Sequence, residues 1–199
     1  MSITPLQPDQ RSTEKQALRK MLRERRRGIS QDHRQLAALG VARLAENLPT
    51  WNAAYRLGCY LATPEELDCD PLITAAWGAG KQTFLPTMGS GKQLLFRRYC
   101  TGDVLRERRY GIRQPIETAS PVNVEALDIL FLPLVGWNVG GERLGMGGGY
   151  YDRTLEKARP GLLVGLGYDC QEYDELAPEQ WDVPVDYILT GSRLVTCSG

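Results

Sequence analysis

LDILFLPLVGWNVGGERLGMGGGYYDR, residues 127–153, decides the reading of this chain. An apolar run of strand type, Leu127 to Leu134, leads through a turn-rich stretch into four glycines within five residues, Gly145, Gly147, Gly148 and Gly149. A helix follows at once: Tyr150 to Lys157 has helical spacing, with Thr154, Glu156 and Lys157 on the polar side, and Pro160-Gly161 stops it. Clustered glycines are tolerated where the backbone needs positive φ or where a ligand must approach the main chain closely. Between a strand and a helix, that ligand is a phosphate: the N–H groups of the loop and of the first helical turn form a concave anion site. The plainer alternative is a crowded turn.

Two familiar phosphate loops do not fit. A Walker A loop needs a lysine after its glycines, and none is here; a dinucleotide fingerprint begun at Gly145 or Gly147 meets Tyr150 or Asp152 where its third glycine should stand. What the loop adds is Arg143 just before it and Asp152 just after. Magnesium carried by a nucleotide takes one or two protein carboxylates and fills its other positions with phosphate oxygens and water, so Asp152 suits that role as well as that of a helix cap.

Outward from this segment, apolar runs and helical spacings alternate. Helices are expected over residues 12–27, 31–47 and 70–79, the last opened by Asp70-Pro71. In the second of these, Leu36, Leu39, Val41, Leu44 and Leu48 fall near helical spacing. Strands are expected over 55–61, 82–85, 94–98, 127–134, 162–167 and 187–189, while 89–124 reads as a hairpin or long loop. Strands separated by helices imply crossovers, so the expected fold is α/β: a three-layer sandwich whose largely parallel sheet is covered by helices on both faces. No repeat or linker divides the 199 residues, so one domain over 1–199 is expected, with residues 1–11 disordered.

Composition narrows the function. Lys plus Arg equals Asp plus Glu at 24 each, so no overall field draws the chain to nucleic acid or membrane. The amino terminus has no apolar signal region and no run of 18 apolar residues occurs, which points to a cytoplasmic protein, read here as a monomer. The five cysteines lack any C-x-x-C pair, against a disulfide framework or zinc site. The single histidine, His33, lies in the polar stretch SQDHRQ and weakens any Ser-His-Asp reading.

RLGMGGGYYD, residues 143–152, resembles the signature of the 5-formyltetrahydrofolate cyclo-ligase family (5,10-methenyltetrahydrofolate synthetases), R-L-G-x-G-x-G-[FY]-Y-D, and the preceding LPLVGW also fits. The resemblance spans most of residues 15 to 190. It implies conversion of 5-formyltetrahydrofolate to 5,10-methenyltetrahydrofolate with ATP as co-substrate and Mg2+. It implies that Arg143, Leu144, Gly145, Met146, Gly147, Gly148, Gly149, Tyr150 and Tyr151 wrap the triphosphate, with Arg143, Lys15 and Arg19 catalytic. Lys15 and Arg19 match the family's early K-x-x-x-R pair on a helix that, taken alone, reads as a solvated basic face; Arg23, Arg25, Arg26 and Arg27 are left as surface. Glu66, in Glu66-Leu67-Asp68-Cys69, is the counterpart of the folate-recognising glutamate, able to accept two parallel N–H groups from a pterin edge.

By the same resemblance Leu61, Tyr110, Gln114 and Tyr151 line the folate site, and Asp152 and Asp182 hold the metal. Three positions depart from the family pattern: Cys69 stands for threonine, Thr63 for an aromatic and Trp181 for histidine. The chemistry explains why no side-chain nucleophile is needed. A formamide oxygen leaves poorly, ATP converts it to a phosphate ester, and the neighbouring substrate nitrogen displaces the phosphate; the protein supplies position and charge. A phosphosugar isomerase on a similar fold, or a noncatalytic folate or nucleotide binder, are the alternatives.

Overall fold

A computed structural model describes residues 8–107, 113–116 and 121–198. Its chain order is α1 (Pro8–Arg27), α2 (Gln31–Ala45), β1 (Arg56–Gly58), α3 (Asp70–Gly78), β2 (Gln82–Met88), β3 (Leu94–Tyr99), β4 (Leu105–Glu107), β5 (Arg113–Pro115), β6 (Ile129–Pro133), β7 (Gly136–Trp137), β8 (Arg143–Leu144), α4 (Tyr150–Leu155), β9 (Leu162–Leu166), β10 (Tyr187–Leu189) and β11 (Leu194–Thr196). The first helix starts at Pro8, ahead of the expected residue 12, so 8–11 are helical and not disordered. The expected disorder of residues 1–7 lies outside the described residues.

Seven strands form one sheet in the order β11-β10-β9-β6-β1-β2-β3. The five central strands are parallel; β3 and β11 are antiparallel edges. The run expected as one strand from Leu127 keeps five ladder residues, each paired with β9 from Ile129↔Leu162 to Pro133↔Leu166. The region 89–124 yields the β2–β3 antiparallel pair and a separate two-stranded β4–β5 sheet.

The parallel strands carry apolar side chains on both faces, as a sheet covered on both sides requires. Leu57, Ile129, Phe131, Val164 and Leu166 pack under α2 and α3 through Val41, Ala45, Leu72 and Ile73. On the opposite face Leu130, Leu132, Leu163 and Ile188, with Leu94 and Phe96 of β3, cluster with Leu155 of α4, Val124 and Leu127. Each such fully buried aliphatic or aromatic side chain is worth about 1.5–3 kcal/mol of transfer free energy.

The second helix buries a different face from the one its leucines suggest. Leu36 and Leu39 are 65% and 60% exposed, whereas Ala38, Gly40, Val41, Ala42 and Ala45 are buried. Close approach is the cause. A Cβ on Gly40 would stand 2.0 Å from the Gly191 carbonyl oxygen, so only a small-residue face lets α2 lie this near the β10–β11 turn.

The sheet order fixes where a ligand can sit. Among the parallel strands the chain goes from β1 to its neighbour β2 on one side, then returns to β6 on the other and continues outward. That reversal opens a crevice beyond the carboxyl ends of β1 and β6, the usual ligand position in open α/β sheets. No helix among the described residues is long and apolar enough to cross a membrane.

Candidate active site

At that crevice lies a cleft of about 950 Å³. Its walls come from the loop after β1, the β2–β3 pair at Leu85, Pro86, Met88 and Leu94, Arg113 and Gln114 of β5, Pro133, the segment from Arg143 through the glycine loop to Asp152, the 179–182 turn, and one stripe of α1. The stripe is Ser12, Lys15, Gln16 and Arg19, spaced so that all four share a helix face.

The glycine loop is aimed by the hairpin before it. Strands β7 and β8 pair Gly136↔Leu144 and Trp137↔Arg143, and Asn138 closes their turn by donating to Glu142 Oε2 at 2.7 Å. Buried Gln171 satisfies the Leu134 and Val135 carbonyls, both at 2.8 Å, where the chain leaves β6. Gly147 and Gly149 take φ of +96° and +64°, a region that L side chains avoid, and Gly149 is the residue at which α4 begins. The carbonyl oxygens point away to fixed donors: Arg19 Nε donates to Gly145 O at 2.9 Å, and Arg153 donates to Gly148 O. Among the described residues no acceptor takes the N–H groups of residues 145–149. The helix that follows is only six residues long, so it is the loop amides, more than a helix dipole, that are able to receive an anion.

The cations differ in availability. Arg19 is half-buried; desolvation lowers its pKa while the Asp182 charge opposes the change, and a guanidinium stays cationic throughout. Lys15 Nζ lies 3.2 Å from Glu179 and 3.3 Å from Asp182. Arg143 has a side chain only 3% exposed, its Nε donating to Val183 O at 3.1 Å and its Nη2 lying 2.5 Å from Asp152 Oδ1. Its fork is already committed, so it holds Asp152 in place.

The two aspartates expected at the metal both line the cleft. Each engages one oxygen: Asp152 Oδ1 takes Arg143, and Asp182 Oδ2 takes Lys15 and the Glu179 N–H at 2.8 Å. No group of three or more metal-ligating side chains occurs among the described residues. That donor set does not cage a resident ion, but it fits a magnesium ion that arrives with phosphate oxygens and water supplying the other positions.

The loop after β1 is pinned at several points. Tyr60 Oη donates to Leu67 O at 2.8 Å, Tyr168 Oη to Glu66 O at 3.3 Å, and Thr63 N–H to Glu66 Oε2 at 2.8 Å. Glu66 therefore faces the cleft with Oε1 unengaged among the described residues. Its neighbour Glu65 faces α1, where Arg23, Arg26 and Arg27 converge on its carboxylate at 2.8, 3.1 and 2.6 Å. These arginines, expected as surface, are the anchor of α1; Arg26 is 1% exposed. Hydrogen bonds from Arg23 first, then Arg27 and Arg26, hold the Glu65 carboxyl down to about 2.

Leu61, Glu66, Gln114, Tyr151 and every residue from Arg143 to Asp152 line this one cleft with Lys15, Arg19 and Asp182. Burial, reinforced by the Glu66 charge, pushes the Tyr151 phenol upward, so it remains a hydroxyl donor. Tyr110 lies outside the described residues. Sequence reasoning missed Ser12, Gln16 and Trp181 as cleft residues; the spacing from Lys15 and Arg19 along α1 carried the signal for the first two.

The comparisons agree. The 5-formyltetrahydrofolate cyclo-ligase of Escherichia coli is 35% identical over 182 residues, covering 87% of this chain and 98% of that protein. The Haemophilus influenzae protein of that description is 35% identical over 184 residues, covering 89% and 97%. The solution structure of Aquifex aeolicus 5,10-methenyltetrahydrofolate synthetase superimposes with a TM-score of 0.81 at 30% identity, covering 93% of each chain. The model of the 5-formyltetrahydrofolate cyclo-ligase family matches residues 11–191, and this chain belongs to that family.

Proposed function

We propose that the protein converts 5-formyltetrahydrofolate to 5,10-methenyltetrahydrofolate, with ATP as the activating co-substrate. The observation that carries the reading is that one cleft is lined by two kinds of recognition group: an amide-rich glycine loop with Arg19, and the Glu66 carboxylate. Its volume of about 950 Å³ is at the upper end of small-molecule sites, in keeping with two substrates held together.

The residues then divide the work. The loop amides of Gly145 to Gly149, with Arg19 and Lys15, take the triphosphate and fix its terminal phosphorus toward the folate. Leu61, Gln114 and Tyr151 enclose the folate while Glu66 accepts N–H groups from its pterin edge. The formyl oxygen attacks the terminal phosphorus and ADP leaves; the adjacent substrate N–H nitrogen closes on the activated carbon and gives up its proton to solvent, and phosphate departs with the C–O bond. Fixed amides and cations do this because they stabilise charge without reorganising as it develops. Asp152, oriented by Arg143, and Asp182 hold Mg2+, which when bound neutralises phosphate charge. The reading takes residues 1–199 as one domain, cytoplasmic and monomeric, acting on dissolved small molecules.

The test is direct. Protein, magnesium and 5-formyltetrahydrofolate are mixed and the methenyl product is followed by absorbance with and without ATP. Product that forms only with ATP supports the reading; a protein that binds both ligands without turnover, or one that isomerises a sugar phosphate without ATP, refutes it.

A further inference from the structure

The chain has four tryptophans, and they fall into two groups. Trp51 and Trp137 are 5% and 0% exposed, and the half-buried Trp77 donates its indole N–H to Thr83 Oγ1 at 2.8 Å. Trp181 is 61% exposed and lies on the rim of the cleft. Among the described residues its ring meets no aromatic side chain or guanidinium. An indole left open beside a ligand site presents a large flat face whose burial by a flat ligand is favourable.

Its position is held firmly. Glu179 and Asp182 close the turn reciprocally, Glu179 N–H donating to Asp182 Oδ2 at 2.8 Å and Asp182 N–H to Glu179 O at 3.0 Å. Lys15 ties both carboxylates to α1. Trp181 thus stands at the end of the cleft occupied by α1 and the glycine loop. Glu66 and Leu61 stand on the loop after β1.

We propose that Trp181 is the stacking wall for the purine base of the nucleotide, a specificity-determining residue that covers the base while the phosphates run to the glycine loop. The proposal rests on the nucleotide reading above. Stacking of a base on an aromatic side chain contributes about 1–3 kcal/mol, which corresponds to a loss of about five- to 150-fold in affinity when the ring is removed.

Trp51, Trp77 and Trp137 are not among the cleft-lining residues, so a ligand-dependent change in intrinsic emission that disappears in Trp181→Phe reports on Trp181. The experiment titrates magnesium-ATP and magnesium-tripolyphosphate, which has no base, into the wild type, Trp181→Ala and Trp181→Phe. ATP is expected to change the wild-type emission and tripolyphosphate to leave it nearly unchanged. Calorimetry should find Trp181→Ala weakened for ATP at least fivefold, unchanged for tripolyphosphate and for 5-formyltetrahydrofolate, and largely rescued in Trp181→Phe. Equal losses for ATP and tripolyphosphate would mean that the ring only supports the Lys15 turn, and a loss for folate would move it to the pterin; either overturns the proposal, as does unchanged ATP affinity. A wild type that binds neither phosphate ligand overturns the nucleotide reading itself.

Discussion

Gly145 offers the sharpest test of the phosphate loop, because stability and affinity should move in opposite directions. A Cβ added there would meet nothing within 4 Å, and its φ is not among the positive ones. Gly145→Ala therefore strains nothing and narrows the unfolded ensemble, which should raise stability by about 0.4–1 kcal/mol. The same methyl group enters the cleft where the phosphates must approach the amides. Losing one charge-assisted amide contact costs about 1.5–3 kcal/mol, so ATP affinity should fall about tenfold or more in Gly145→Ala and further in Gly145→Val. Other loop positions are less clean: a Cβ on Gly148 would come 3.0 Å from the Tyr150 ring, and Gly149 combines positive φ with Arg153 at 3.0 Å. Thermal melts and calorimetric ATP titration at fixed magnesium decide the matter. A Gly145→Val protein with unchanged melting temperature and unchanged ATP affinity would refute the phosphate-loop assignment.

Three further outcomes are expected. Asp152→Asn should raise the magnesium concentration needed for half-maximal turnover while sparing folate binding, and it should destabilise the fold by about 3 kcal/mol because Arg143 is buried and loses its counter-charge; a stability loss with unchanged magnesium dependence would leave Asp152 a purely structural partner. Glu66→Gln keeps an acceptor for the Thr63 N–H but loses charge, so calorimetry should show folate binding weakened at least about tenfold with ATP binding intact, and Arg19→Ala should give the reverse. Glu65 is held at about 2 against an ordinary 4.5, so its pairing stabilises fully above pH 4.5 and is lost as pH falls toward 2. With Arg23 and Arg27 facing solvent, about 1–2 kcal/mol is expected; acid melts of wild type and Glu65→Gln should converge near pH 2, and parallel curves would count against the clamp.

What the sequence disclosed and what it hid have physical reasons. Runs such as Ile129 to Leu134, apolar at every position, announce strands buried on both faces, and Tyr187–Leu189 could be bounded to the residue. The glycine loop was legible because glycine reports on backbone conformation, a local property. Pairings such as β7 with β8, two residues each, arise from the chain already anchored around them and leave no periodicity to read. Burial of Arg26 was illegible for a similar reason: its partner Glu65 lies 39 positions away, and four arginines in five positions look alike until one is placed against the core. In α2 the leucines drew the eye, but the small residues decided which face could come close.

The carboxylate of Glu65 also governs how the protein meets other polyanions. The first helix carries Lys15, Arg19, Lys20, Arg23, Arg25, Arg26 and Arg27, a ladder that in isolation would cling to nucleic acid. One side chain, seated among three guanidiniums, pairs Arg23, Arg26 and Arg27, while Lys15 and Arg19 stay at the cleft. A long polyanion needs many cations in a row, each releasing counterions, whereas a nucleotide needs only two or three. By pairing Arg23, Arg26 and Arg27, Glu65 leaves this helix fewer cations for a long polyanion than its sequence suggests.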